Sequence, residues 1–152
     1  VDNDIARGAD ALLEPLLAVS PGRGTDFAAA MREAQRVMEL NWSADRAPVV
    51  VFLSDGEAPA PSEEVRSICN MAVSLGQPLS FHTVFFGARS HSAVLDYMAA
   101  IAAKIYGNAS PRTLSDIPCG SHYAIDSIQL AQTFLNIADS MRQVRVSAGA
   151  SF

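Results

Sequence analysis

Apolar residues recur at two different periods along this chain. Phe27, Ala30, Met31, Ala34, Val37 and Met38 return at helical spacing on one face, while Arg32, Glu33, Arg36 and Glu39 lie off it. That pattern predicts a helix opened by Thr25 and ended by Asn41 and the Asp45–Pro48 stretch. Residues 49–53, Val-Val-Val-Phe-Leu, do not alternate. A continuous β-branched and aromatic run of this length predicts a strand buried on both faces.

The alternation then repeats. Ser62 is placed to cap a helix with Glu63 and Glu64 in its first turn, where the helix dipole favours them. Val65, Ile68, Cys69, Ala72 and Leu75 form its stripe, and Gly76 closes it. Leu79 to Phe86 predicts a second strand. A helix from Ser92 follows, with Val94, Leu95, Met98, Ile101, Ala102 and Ile105 on one face, broken at 107–111. His122–Ile125 predicts a weak third strand. Asp126 with Gln129 has the capping-box spacing for a last helix carrying Ile128, Ala131, Phe134, Leu135, Ala138 and Met141. Ahead of all this stand a short leucine stripe, Leu12, Leu13, Leu16 and Leu17, and a Pro-Gly-Arg-Gly turn at 21–24. Strands alternating with amphipathic helices imply parallel crossovers, hence an open α/β sheet.

Composition narrows the picture. At 152 residues and 49% apolar, the chain is most simply one domain with ample core. A net charge of −5 gives no electrostatic reason to bind nucleic acid or an anionic membrane. No apolar run is long enough to span a bilayer. Two cysteines, Cys69 and Cys119, are too few for a disulfide scaffold, which fits an intracellular site without requiring one. Cys119 and His122 have a metal-like spacing, but no paired CxxC or HxxxH accompanies them.

The chemistry worth following sits at two junctions. Thr25 follows a glycine-rich turn and leads into a helix; Asp55, in Ser54-Asp55-Gly56, ends the most apolar strand. Ligands of open α/β sheets bind beyond the carboxyl ends of the strands. A helix running back from that edge brings a hydroxyl and a carboxylate together. Such hard oxygen donors suit Mg²⁺ or Ca²⁺, with Mn²⁺ close behind. The same residues also suit plainer work: Thr25 as an N-cap, Ser54–Gly56 as a turn.

Gly22-Arg-Gly-Thr-Asp-Phe27 before an amphipathic helix, then Val49-Val-Val-Phe-Leu-Ser-Asp-Gly56, resembles the von Willebrand factor type A domain. Phe81–Gly87 looks like that family's next strand, Leu95–Ala99 like its following helix, and Ile128–Met141 like its closing helix. The resemblance implies a doubly wound, Rossmann-like sheet. It further implies a protein-binding module that holds its partner through a metal-ion-dependent adhesion site. The family's Thr and Asp ligands carry over onto Thr25 and Asp55. Its D-x-S-x-S motif has no counterpart in this sequence, and neither do the strands that precede the Thr turn.

The resemblance therefore makes residues 1–142 the carboxyl-terminal portion of a type A domain, with 143–152 as a polar tail. It implies a weak Mg²⁺, Mn²⁺ or Ca²⁺ site and a protein ligand with an exposed Asp or Glu. It also implies a second partner for the strand at 49–53. That partner is either the missing amino-terminal half or another copy of the chain, because an apolar edge recruits a strand. Two other functions compete. One is a metal-free assembly domain. The other is a phosphate-handling hydrolase using Asp55, Glu57 and a histidine among His82, His91 and His122, although neither a P-loop nor GxGxxG is present.

Overall fold

The computed structural model describes residues 25–43, 46–76, 79–88, 91–108 and 117–149, with side chains as far as 142. The leucine stripe at 12–17 and the turn at 21–24 lie outside the described residues. In chain order the elements are α1 (Phe27–Leu40), β1 (Val49–Ser54), α2 (Ser62–Ser74), β2 (Ser80–Phe86), α3 (Ala93–Gly107), β3 (Cys119–Ala124) and α4 (Ser127–Gly149). The strands form one open sheet in the order β1-β2-β3. Both ladders are parallel, Val49 opposite Ser80 and Phe81 opposite Cys119. This is the α/β, Rossmann-like fold expected from the alternation of strands and helices.

The pleat sorts the side chains. Val50, Phe52, Phe81, Thr83, Phe85, Cys119, Ser121 and Tyr123 share one face, because register and period 2 place them together. Helices α1, α2 and α3 cover that face. Phe27 and Met31 of α1, Val65, Ile68 and Cys69 of α2, and Leu95, Met98 and Tyr106 of α3 are buried there with Phe81 and Phe85. Thr83 Oγ1 donates to Leu95 O across 3.0 Å, joining the sheet to α3. On the opposite face α4 packs over β3 and the near side of β2, enclosing Val84, Ala124 and Ile137. Helices on both faces make the sheet doubly wound.

Strand β2 is buried almost throughout, as a central parallel strand should be. Strand β1 is not. It lies at an edge of the described sheet, and Val49 and Leu53 on the α4 side are 38% and 46% exposed. The expectation of burial on both faces is not met: Val50 and Phe52 on the α1 side are half-buried against the core, and α4 packs on β3 and β2 rather than on β1.

Local chemistry sets the helix ends. The cap of α1 is Asp26, not Thr25: Asp26 Oδ1 accepts from Ala29 N–H at 2.9 Å. Ser62 does not cap α2 either; Pro61 occupies that position with no side-chain bond, and Ser62 is already helical. Proline's fixed φ suits the entry and removes one donor that would lack a partner. Gly76, at φ +74°, closes α2 and donates to Val73 O, as expected for glycine after a C-cap. Ser92 caps α3 through Leu95 N–H. Asp126 accepts from Gln129 N–H at 2.8 Å, while Gln129 Oε1 accepts from Ile125 N–H, one residue before the usual capping-box partner.

Helix α4 departs from expectation in phase. Thr133 and Ile137 are its buried residues, whereas Ile128 is 80% exposed and Phe134 and Leu135 also face out. Thr133 is tolerated because its hydroxyl donates to Gln129 O at 2.9 Å. The apolar stripe read from the sequence thus lies largely on the outside. The helical backbone continues past residue 142 to Gly149.

One buried hydrogen bond is a sensitive joint. Tyr106 is almost fully buried, and its hydroxyl accepts from Leu79 N–H at 3.1 Å, where the chain enters β2. Burial drives its phenol, and the nearby Cys69 thiol, well above their ordinary ranges, so both stay protonated at neutral pH. Tyr106→Phe keeps the ring and orphans that amide. A loss of about 1–3 kcal/mol is expected in urea unfolding; an unchanged midpoint would mean the amide finds another acceptor.

Candidate functional site

The carboxyl end of β1 turns sharply at Ser54–Gly56. Ser54 Oγ accepts from Gly56 N–H at 3.2 Å and lies 3.3 Å from Gly56 O, which folds the turn back on itself. Asp55 sits exposed within this turn. Helix α1 starts at the same edge, fixed there by Phe27. The Phe27 and Phe52 rings meet edge-on, centroids 4.9 Å apart.

This anchoring brings Thr25 over the turn. A Cβ placed on Gly56 would lie 3.9 Å from Thr25 Oγ1, an ordinary contact. The structure therefore brings the Thr25 hydroxyl beside the turn that carries Asp55, from two separate loops. Asp26 has taken the capping role, so the Thr25 hydroxyl makes no hydrogen bond among the described residues. Both Thr25 and Asp55 are exposed. They supply one neutral oxygen and one carboxylate, a donor set that fits a hard divalent cation only in part. Among the described residues no group of three or more His, Cys, Asp or Glu side chains is placed to hold a metal ion.

Asp26→Ala separates the two adjacent side chains. Loss of the cap is expected to cost about 1 kcal/mol of stability, whereas Thr25→Ala should cost well under half of that. Thermal unfolding of the two variants side by side checks the assignment; a larger loss in Thr25→Ala than in Asp26→Ala would return the cap to Thr25.

The other polar residues noted in the sequence are dispersed. Cys119 and His122 lie on opposite faces of β3, because an odd separation along a strand points side chains apart. They cannot share one metal ion. Burial pushes the Cys119 thiol up to about 11, further from a ligating thiolate. His82 and His122 do meet, on the α4 face, with His82 Nδ1 and His122 Nε2 3.1 Å apart and rings tilted by 39°. His82 is 3% exposed, and its Nε2 has no hydrogen-bond partner among the described residues. The spacing of two strands gave no hint of this pair until their register was known.

A second polar cluster was not foreseen. Asp96, in the first turn of α3, accepts from Ser121 Oγ at 2.5 Å and from the Tyr123 hydroxyl, both on β3. These two bonds hold the Asp96 carboxyl below its usual range. The residues alternate on one face of β3, so the signal was available only once Cys119–Ser121 were recognised as strand. The cluster is internally satisfied and joins α3 to the sheet; it does not form a site with Asp55.

Compared with family models, with curated proteins and with solved structures, the chain matches none. No helix among the described residues is long and apolar enough to cross a membrane.

Proposed function

We propose that this chain is a protein-binding module of the von Willebrand factor A type, in which Thr25 and Asp55 form part of a metal-ion-dependent adhesion site. The observation that carries the reading is the approach of the Thr25 hydroxyl to the Ser54–Gly56 turn at the carboxyl end of β1. It is supported by helix capping from Asp26, so that the Thr25 hydroxyl is not used as the cap. The cation would be Mg²⁺, Mn²⁺ or Ca²⁺. It would keep most of its waters and accept an Asp or Glu side chain from the partner, since one carboxylate and one hydroxyl offset little of its dehydration. No catalytic role is assigned to Asp55 or to the histidines.

Mn²⁺ titration followed by paramagnetic broadening of amide signals tests this. Weak binding that broadens residues around Thr25 and Asp55, and that is abolished by Asp55→Ala, is expected. Tight binding that survives Asp55→Ala would sink the assignment.

A second reading has its own observation: the uncovered α4-side face of β1, with Val49 and Leu53, together with the outward Phe134 and Leu135 of α4. This is an assembly domain that needs no metal and pairs through β1 with an amino-terminal half-domain or with another copy. Exposed strand edges and apolar patches of this kind favour association. Sedimentation that shows oligomers unaffected by Thr25→Ala and Asp55→Ala, in a protein that fails to bind Mn²⁺, would favour it over the first.

A further inference from the structure

A groove separate from the Thr25–Asp55 edge runs between α2 and α3. Its volume is about 280 Å³, and it is lined by Arg66 of α2 and by Tyr97, Ile101, Lys104, Ile105 and Asn108 along α3. The α3 residues follow helical spacing, so they form one continuous stripe. Apolar surface dominates the lining: Ile101 is nearly buried, and Ile105 is partly so. Tyr97 stands as an exposed aromatic wall.

The charges in this groove are all of one sign. Lys104 is the single lysine of a chain with net charge −5. It pairs with no carboxylate among the described residues. Arg66 has one loose partner, Glu63, at 3.7 Å, and that carboxylate is itself 89% exposed. Elsewhere on the helices Arg32, Arg36 and Arg142 are each joined to a carboxylate at shorter distance. Part of the Lys104 placement is explained by the helix dipole, which favours a cation in the last turn of α3. That does not account for a second cation from another helix facing the same apolar trough.

We propose that this groove binds a small carboxylate with an apolar body. The carboxylate pairs with Arg66 and Lys104, and the body lies along Ile101 and Ile105 against the Tyr97 ring. The volume sits near the lower limit of small-molecule pockets, which restricts the ligand to a short aliphatic chain or a single ring. The opposite charge of the ligand complements two cations with no competing anion in the lining. An uncharged molecule of the same shape would gain the apolar contact alone.

Octanoate is a suitable probe, with octanol as its neutral counterpart. Amide chemical-shift titration of the full chain is expected to move signals of α2 and α3 around Arg66, Tyr97 and Lys104, with Kd on the order of 1 mM. Lys104→Gln and Arg66→Gln should each weaken binding about threefold, the scale of a partly exposed ion pair. The double variant should bind more weakly than either single variant, and a departure from a simple product of the two effects would show that both cations act on one carboxylate. Both positions are solvent-facing, and unchanged thermal unfolding confirms that the variants fold. Asp55→Ala should leave octanoate binding unaltered, which keeps this site distinct from the metal reading. The proposal is overturned by shifts scattered over the surface, by equal binding of octanol, by affinity unchanged in the double variant, or by no shift up to about 10 mM octanoate.

Discussion

Phe27→Ala is expected to lower stability by about 3–5 kcal/mol, a large fraction of what a domain of this size possesses. Phe27 is buried at 3% exposure and contacts Phe52 at the end of β1. Truncation removes the burial of a whole ring, opens a cavity and deletes an edge-on aromatic contact worth about 0.5–1.5 kcal/mol in itself. The effect should also be local. Phe27 is the first residue of α1 and fixes the height at which the preceding Thr25 crosses the Ser54–Gly56 turn. Amide exchange in the first turn of α1 should therefore accelerate more than global unfolding requires. Phe27→Leu, which keeps most of the volume, should recover most of the loss. Urea unfolding and native-state exchange measure both parts. A cost for Phe27→Ala below about 1 kcal/mol would show that α1 is held by something other than this contact.

Mild acid should destabilise the fold through the pair of buried His82 and half-buried His122. Burial, reinforced by the neighbouring His122, pushes the His82 imidazole down to about 4. Burial lowers His122 as well. In the unfolded chain a histidine titrates near pH 6.5. Between those values the unfolded state binds more protons than the folded state. The contribution of the neutral pair is therefore complete above about pH 6.5 and is lost as pH falls toward about 4. For His82 alone the limit is about 3 kcal/mol. No Asp, Glu, Lys or Arg among the described residues offsets this: β1 contributes Val49, Val51 and Leu53 to that face, and Asp126, Asp139 and Arg142 of α4 are exposed. Urea midpoints measured from pH 7.5 to 4.5 should fall steadily, and His82→Phe should flatten most of the slope. If stability instead holds to about pH 4 and then collapses, carboxylates rather than the histidines control it.

Much of the architecture was legible because it rests on period. The change from helical spacing at 27–38 to an unbroken apolar run at 49–53 needs no tertiary information, and Gly76 marks its helix end through backbone geometry alone. The failures share a different cause. Thr25 and Asp26 are adjacent and both able to cap; the choice is made by Phe27, which must reach Phe52, a contact distant in sequence. The first half of β3, Cys119-Gly-Ser, carries no strong strand former and becomes a strand through pairing with Phe81–Thr83. The phase of α4 is not legible from apolarity, because Ile128, Phe134 and Leu135 are exposed while Thr133 and Ile137 are buried. Thr133 is buried on α4 at little cost, because its hydroxyl is satisfied within the helix by Gln129 O. At the candidate site the approach of the two loops was legible, because a helix that runs back antiparallel to the strands must start from their carboxyl edge, and Thr25 does lie over the Ser54–Gly56 turn. The histidine pair and the Asp96–Ser121–Tyr123 cluster depend on strand register, which periodicity does not encode.

The parallel order β1-β2-β3 bears on how the chain reaches this state. Neither ladder is closed by a hairpin. Val49 meets Ser80, and Phe81 meets Cys119, only after an intervening helix has folded back across the sheet. Each ladder thus carries the entropy of closing a long loop before its contacts repay it. Refolding should be slow for a domain of this size and limited by the docking of α2 and α3 onto β2. During that interval the Val49–Leu53 segment, rich in β-branched residues and without a charge, is open to other chains. The yield of refolded monomer should accordingly fall as protein concentration rises, even under conditions where the finished fold is stable.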